Sequence, residues 1–149
     1  MVMDFLVMLG FIIAVNWLCL TLVWLISLKI KDVGIVDIYW GIGFVIMAWA
    51  CFLLNFQSNP TAISQSQWLI NIMVTIWGLR LSFHLAARNL GKEEDYRYAA
   101  MRKKSEGDFR IISYFRVFML QGFLQILIIL PVLATVSYTH LTLPTIYSV

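Results

Sequence analysis

Four long apolar stretches constrain the fold of this chain more than any other feature of its sequence. They cover roughly residues 5–28, 35–56, 68–87 and 111–130. A helix of about 20 predominantly apolar residues spans the hydrocarbon core of a bilayer. The runs are continuous and do not alternate with period two, which favours helices over the strands of a membrane barrel. The sequence therefore predicts an all-α fold, a multi-pass membrane helix bundle with four transmembrane helices.

The composition agrees with a membrane protein. Hydrophobic residues make up 61% of the chain and charged residues 13%, whereas soluble domains carry about a quarter charged residues. Cys19 and Cys51 both fall inside predicted spans, so we expect two buried thiols and no disulfide. No spacing of His and Cys suggests a metal site. The net charge of +3 is concentrated in one loop, and we interpret it as a signal of topology and not of nucleic-acid binding.

The basic residues predict an orientation in the membrane. Residues 29–34 contain two lysines and residues 88–110 contain seven Lys or Arg, whereas residues 57–67 contain no charged residue. Positively charged loops remain on the cytoplasmic side. We therefore expect loops 29–34 and 88–110 to be cytoplasmic, and the N-terminus and loop 57–67 to be outside or luminal.

The C-terminal residues differ in character from the rest. Leu130-Pro131 is a natural helix stop, so we expect the fourth span to end there. Residues 137–149 are rich in Thr, uncharged and without helical or strand period, and they resemble a translated sequencing adapter. We therefore expect residues 1–136 to be native and residues 137–149 to be a non-native tail, which gives His140 no functional weight. The alternative is a genuine disordered tail.

Ionisable residues within the predicted spans are functional candidates, because they are costly in lipid. Arg80, His84 and Arg88 are spaced by four residues and share one helical stripe. Asp37 lies in the first turns of the second span, in the same half of the membrane as Arg80. We hypothesise that Asp37, Arg80 and His84 form a polar pocket. Snorkelling of Arg80, packing of His84 and a structural Asp37–Arg80 ion pair are the alternatives.

Two further polar features need an explanation. Gln121 and Gln125 lie four residues apart in the fourth span, where buried amides need partners, either on another helix or in a polar cavity. The loop after the third span has an acidic triplet followed by Tyr-Arg-Tyr. Such a surface could hold a nucleotide, with arginine on phosphate, carboxylate on ribose and tyrosine against a base. A solvated loop that enforces topology is the alternative.

Several motifs together resemble one family. In chain order they are Asp-Ile-Tyr-Trp-Gly-Ile-Gly-Phe at 37–44, Trp-Gly-Leu-Arg-Leu at 77–81, His at 84, Arg-Asn-x-Gly at 88–91, Glu-Asp-Tyr-Arg-Tyr at 94–98, Phe-x-Leu-Gln-Gly at 118–122 and Leu-Pro at 130–131. Their order and spacing resemble the DUF1295 family, which belongs with the membrane steroid 5-alpha-reductase-like proteins. The resemblance extends to about Pro131.

This resemblance implies an enzyme of the endoplasmic reticulum or the bacterial inner membrane. Related reductases use NADPH to reduce a carbon–carbon double bond conjugated to a ketone in a lipid or steroid. The implied partners are membrane lipid and a small hydrophobic substrate. By resemblance, His84 and Arg88 match a His-x-x-x-Arg pattern, with the catalytic candidates Asp37, Arg80 and His84 at the carbonyl end of the substrate. The resemblance also implies candidate cofactor-binding residues in the loop after the third span, which are Arg88, Asn89, Glu94, Asp95, Arg97 and Tyr98.

Two departures from the related reductases widen the alternatives. This chain has Leu85 where steroid reductases have a catalytic tyrosine, so a different substrate or acid is expected. It also lacks the Arg-x-Pro-Asn-Tyr-type segment of the C-terminal half, so we expect a fragment that is inactive by itself. An S-adenosylmethionine-dependent methyltransferase of the isoprenylcysteine type and a non-enzymatic membrane scaffold remain as alternative functions.

Overall fold

The chain folds into a bundle of long helices. The computed structural model describes residues 2–58 and 63–137, with side chains for 5–57 and 63–134, and these residues contain no strand. The helices are α1 (Val2–Ile30), α2 (Ile35–Ser58), α3 (Gln65–Asn89), α4 (Tyr96–Lys104), α5 (Phe109–Ser113) and α6 (Leu120–Ser137), with a π-helical segment at Tyr114–Met119 that joins α5 to α6. The all-α prediction is confirmed.

Four of these helical units are long and apolar enough to cross a membrane. They are Phe5–Ile30, Ile35–Gln57, Gln65–Asn89 and Phe109–Ala134, which confirms the four predicted spans. Half of Ile35–Gln57 is buried, whereas in the other three segments most residues are not buried, as expected where lipid surrounds the helices. The loops at residues 29–34 and 88–110 lie together at one end of the bundle, which we call the charged end.

The predicted stop of the fourth span is wrong. The helix does not end at Leu130-Pro131 but continues through Pro131 to Ser137. Proline removes one backbone hydrogen bond, and membrane helices tolerate it because neighbouring groups and local adjustments satisfy the freed carbonyl. Of the predicted non-native tail, residues 138–149 lie outside the described residues.

The α2–α3 crossing is the closest helix contact in the bundle. A Cβ atom on Gly78 would lie 2.5 Å from the carbonyl oxygen of Gly41, and one on Gly41 would collide with the carbonyl of Gly78. Beside this contact, the backbone N–H of Ile42 donates to Ser82 Oγ at 3.0 Å. Small residues let membrane helices approach closely, and the two glycines thereby fix which face of α3 lies against α2.

Amide side chains join α6 to α1 and α2. Asn16 donates to the carbonyl of Gly122 at 3.2 Å, and Trp40 Nε1 donates to Gln121 Oε1 at 2.7 Å. Gln125 Nε2 donates to the carbonyl of Trp40 at 3.3 Å. Both glutamines therefore form helix-to-helix hydrogen bonds, the first of the two roles expected for them.

Candidate functional site

The predicted loop residues form a polar network at the charged end. Tyr98 donates its hydroxyl hydrogen bond to Asp37 Oδ1 at 3.1 Å, and Arg97 Nη2 lies 3.4 Å from Asp37 Oδ2. The same guanidinium contacts Asp95 Oδ2 at 3.0 Å. We call Asp37, Glu94, Asp95, Arg97, Tyr98 and Arg102 the charged-end network. It places α4 against the N-terminus of α2.

A second set of contacts in this network joins α4 to the loop between α1 and α2. Glu94 Oε1 accepts hydrogen bonds from the backbone N–H of Val33 at 3.0 Å and from Arg102 Nη2 at 2.8 Å. Arg102 also donates to the carbonyl of Lys31 at 3.4 Å, and its guanidinium stacks 4.4 Å from the ring of Phe109. Glu94 and Arg102 are thus occupied with protein partners.

Local backbone chemistry explains how α4 reaches this position. The chain leaves α3 after Asn89 and turns at Gly91, whose φ of 79° is in the left-handed region that glycine adopts without strain. Asp95 then caps α4, because its side chain accepts a hydrogen bond from the backbone N–H of Arg97 at 2.9 Å. Sequence analysis gave Asp95 a cofactor role and missed this capping role, although an Asp before a helical segment is a recognisable N-cap signal.

The charges of the network follow from these contacts. The hydrogen bond with Arg97 holds the pKa of Asp95 below its usual range, and the same pair raises the pKa of Arg97. Burial raises the pKa of Tyr98, and the neighbouring Asp37 raises it further. At neutral pH the Asp95–Arg97 pair is therefore ionised and Tyr98 keeps its proton for the hydrogen bond to Asp37.

Arg80 and His84 lie elsewhere, on the outer face of α3. Together with Trp77 and Leu81 they line a surface groove of about 370 Å³, which we call the α3 groove. Both polar side chains are exposed, and neither forms an ion pair with any residue that the structure describes.

The hypothesised pocket of Asp37, Arg80 and His84 is therefore not formed within the described part of the chain. Asp37 contacts Arg97 and not Arg80. The reason is helical phase, since Gly78 and Ser82 occupy the face of α3 that packs on α2. Residues two positions further along a helix are rotated by about 200°, and Arg80 and His84 consequently face away from α2. The interpretation that Asp37 and Arg80 form an ion pair is wrong for the same reason.

The remaining predicted cofactor residues lie between these two regions. Arg88 is exposed and its Nε donates to Asn89 Oδ1 at 3.1 Å. Asn89 lines a cleft of about 90 Å³ that also contacts Asp32, Lys92 and Asp95. The structure thus brings Glu94, Asp95, Arg97 and Tyr98 together with Asp37, while Arg88 and Asn89 lie at the edge of the group.

Sequence analysis missed two structural features, the pairing of Arg102 with Glu94 and a π-helical segment in the fourth span. Arg102 was counted only among the basic residues that predict orientation in the membrane. Its eight-residue separation from Glu94 gives no local sign that the two side chains pair. The π-helical segment around Arg116 was also missed, because the apolar pattern of the fourth span continues through it.

Comparison with known proteins gives a family and no named relative. No curated protein and no solved structure matches the chain. The family model described as "Protein of unknown function (DUF1295)" matches residues 23–148, which is most of the sequence and includes all the residues of the charged-end network and of the α3 groove. The chain belongs to the DUF1295 family.

Proposed function

We propose that this chain supplies the substrate-binding part of an NADPH-dependent membrane oxidoreductase that reduces a carbon–carbon double bond of a lipid or steroid-like enone. The observation that carries the proposal is the α3 groove. There, two nitrogen-bearing side chains without ion-pair partners among the described residues lie on the exposed face of a helix that is long and apolar enough to cross a membrane. Ionisable side chains in such positions are functional by default.

The groove has the chemistry that an enone requires. Trp77 and Leu81 supply apolar surface for a hydrocarbon skeleton, while Arg80 and His84 supply N–H donors for a carbonyl oxygen. Donors placed at this oxygen stabilise the negative charge that develops there during reduction. Because the groove lies on the outside of a membrane-spanning helix, a lipid-soluble ligand could enter it from the bilayer.

The proposal assigns Asp37 a different role from the catalytic role first expected. Its carboxylate is occupied by Tyr98 and Arg97, so we infer that it positions α4 and does not act on substrate. Arg80 and His84 are then the residues proposed to contact the carbonyl oxygen.

The residues predicted to contact the cofactor do not form a site for NADPH by themselves. The cleft beside Asn89 has about 90 Å³, whereas sites for drug-sized ligands have about 300–1,000 Å³. Glu94 accepts hydrogen bonds from Arg102 and from the backbone N–H of Val33. Asp95 accepts one from the backbone N–H of Arg97. The expected cofactor contacts are therefore limited to the exposed side chains of Arg88 and Arg97.

Substrate binding is tested with the full chain in lipid nanodiscs and a steroid 4-en-3-one as the probe. Arg80→Gln and His84→Gln should each weaken binding about 10-fold, the loss expected for one hydrogen bond to a charged or polar donor. Arg110→Gln removes a cation from the charged end outside the groove and should leave binding unchanged. Equal binding by the groove variants and the parent protein would contradict the proposal.

The reaction class is tested by calorimetric titration of the purified protein with NADPH and with S-adenosylmethionine. Binding of NADPH supports the reductase. Binding of S-adenosylmethionine alone would replace it with the methyltransferase alternative, and binding of neither would favour a membrane scaffold.

A further inference from the structure

A second and larger groove lies at the charged end, where α4 approaches the fourth span. It has about 710 Å³ and is separate from the α3 groove, since the two share no residue. Its polar lining includes the cations Arg97, Lys104 and Arg116 and the single acid Glu106. We call it the α4–α5 groove, and its lining is rich in positive charge.

Two of these cations are available to a ligand. Arg97 is committed in part to Asp95 and Asp37, whereas Lys104 and Arg116 form no ion pair with any described residue. Lys104 is the last residue of α4, and Arg116 lies in the π-helical segment. The groove therefore brings together one cation from a surface helix and one from a membrane span.

The apolar lining of the groove lies on the spanning helix. Ile111 is 58% exposed and Phe115 is 63% exposed, and both belong to the segment that begins the fourth span. Within the π-helical segment, Val117 and Phe118 are buried while Phe115 and Arg116 are exposed. Such segments are frequent at functional sites, and this one directs a cation and an aromatic ring outward together.

The depth of these residues selects the class of ligand. Arg116 follows Phe109 by seven residues, which corresponds to about 10 Å along the helix axis. A long arginine side chain at that depth extends toward the headgroup layer, and Lys104 approaches the same layer from the aqueous side. A phosphate between these cations would continue into acyl chains along Ile111 and Phe115.

We propose that the α4–α5 groove binds an anionic phospholipid from the membrane leaflet at the charged end, with its phosphate between Lys104 and Arg116 and its first acyl carbons against Ile111 and Phe115. The proposal does not depend on the reductase, because it concerns a different groove. A soluble phosphate compound would use the same cations but would leave the exposed apolar side chains uncovered.

The test uses the purified full chain in detergent, titrated with phosphatidylglycerol and with phosphatidylcholine, with bound lipid counted by native mass spectrometry. Phosphatidylglycerol should bind more tightly. The double variant Lys104→Gln/Arg116→Gln should weaken its binding about 30-fold, because each cation near a membrane surface contributes a factor of about five. The matched control Lys103→Gln/Arg110→Gln removes the same charge from α4 and from the start of the fourth span, outside the groove, and should change binding by less than about threefold.

Several outcomes would overturn the proposal. They are equal binding of the two lipids, equal losses in the two double variants, and displacement of phosphatidylglycerol by inorganic phosphate or NADPH at matching concentration. Lys104→Arg/Arg116→Lys keeps both charges and should retain binding, and loss of binding in this variant with unchanged helical circular dichroism also contradicts the assignment. If the double variant does not fold, Lys104→Gln alone should still weaken binding about fivefold.

Discussion

At the scale of single residues, two groups of ionisable side chains have different roles. Asp37, Glu94, Asp95 and Arg97 are paired in the charged-end network. Arg80, His84, Lys104 and Arg116 line grooves and have no ion-pair partner in the described ranges 2–58 and 63–137. Paired charges hold the loops in place, and the others are free to meet a ligand.

Tyr98 is central to the first group, and its substitution gives a stability prediction. Its side chain is buried and its hydroxyl donates to Asp37 at 3.1 Å. Tyr98→Phe should lower stability by about 1–2 kcal/mol, because the half-buried carboxylate loses a donor. Tyr96→Phe is the matched control, since Tyr96 is 81% exposed, and it should melt like the parent protein. Thermal unfolding in detergent measures both, and equal melting of the two variants would contradict the structural role of Tyr98.

The Asp95–Arg97 pair predicts a pH dependence. The pKa of Asp95 is lowered in the folded protein, so its stabilising contribution is complete above the unfolded value of about 3.9 and is lost as the pH falls through the folded value. Asp95→Asn should therefore be less stable than the parent protein at pH 7, by about 0.5 kcal/mol for such an exposed pair. The difference should decrease in acid.

A second aspartate provides the control for this pH dependence. Asp108 also caps a helix, through its contact with the backbone N–H of Arg110, but forms no ion pair with the residues described. Asp108→Asn removes the same carboxylate without removing an ion pair. Unfolding of both variants is measured from pH 7 to pH 3, and a difference between Asp95→Asn and the parent protein that stays constant with pH would exclude the pair as its source.

At the scale of helices, the α2–α3 crossing determines which residues are available for function. Gly41→Ala should destabilise the protein by about 2 kcal/mol, because the new methyl group collides with the backbone carbonyl of Gly78 and the helices must separate. Gly10→Ala is the matched control. No atom lies within 4 Å of a Cβ placed there, and alanine favours a helix by about 1 kcal/mol over glycine. In thermal or chemical denaturation, the midpoint should therefore fall for Gly41→Ala and rise for Gly10→Ala.

The same crossing shows what the sequence could and could not predict. The spans follow from apolar length, and the candidate residues Arg80 and His84 follow from charge within a span. The sequence did not reveal that Gly78 and Ser82 take the inner face of α3, because this depends on contact with Gly41. Pairing of Asp37 with Arg97 likewise depends on the turn at Gly91 and on the return of α4, which no local spacing encodes.

At the scale of the whole molecule, the charged features gather at one end of the bundle and the apolar surface covers its sides. The charged-end network, the α4–α5 groove and the cleft beside Asn89 all lie at the charged end, and the α3 groove opens on the side of the bundle. In the proposals above, the charged end binds a phospholipid headgroup and water-soluble partners, and the side of the bundle binds a lipid-soluble substrate. Such a division requires the charged end to face the compartment that contains those soluble partners.

This requirement leads to a prediction of orientation. Positively charged loops remain cytoplasmic, so residues near the start of α3 should be outside and residues between α4 and α5 inside. In a background with Cys19 and Cys51 replaced by Ala, Gln65→Cys and Glu106→Cys each place a single thiol at an exposed position. A membrane-impermeant maleimide added to intact bacterial cells that express the protein should label Gln65→Cys at once and Glu106→Cys only after permeabilisation. The reverse pattern would place the charged end outside and contradict the predicted orientation.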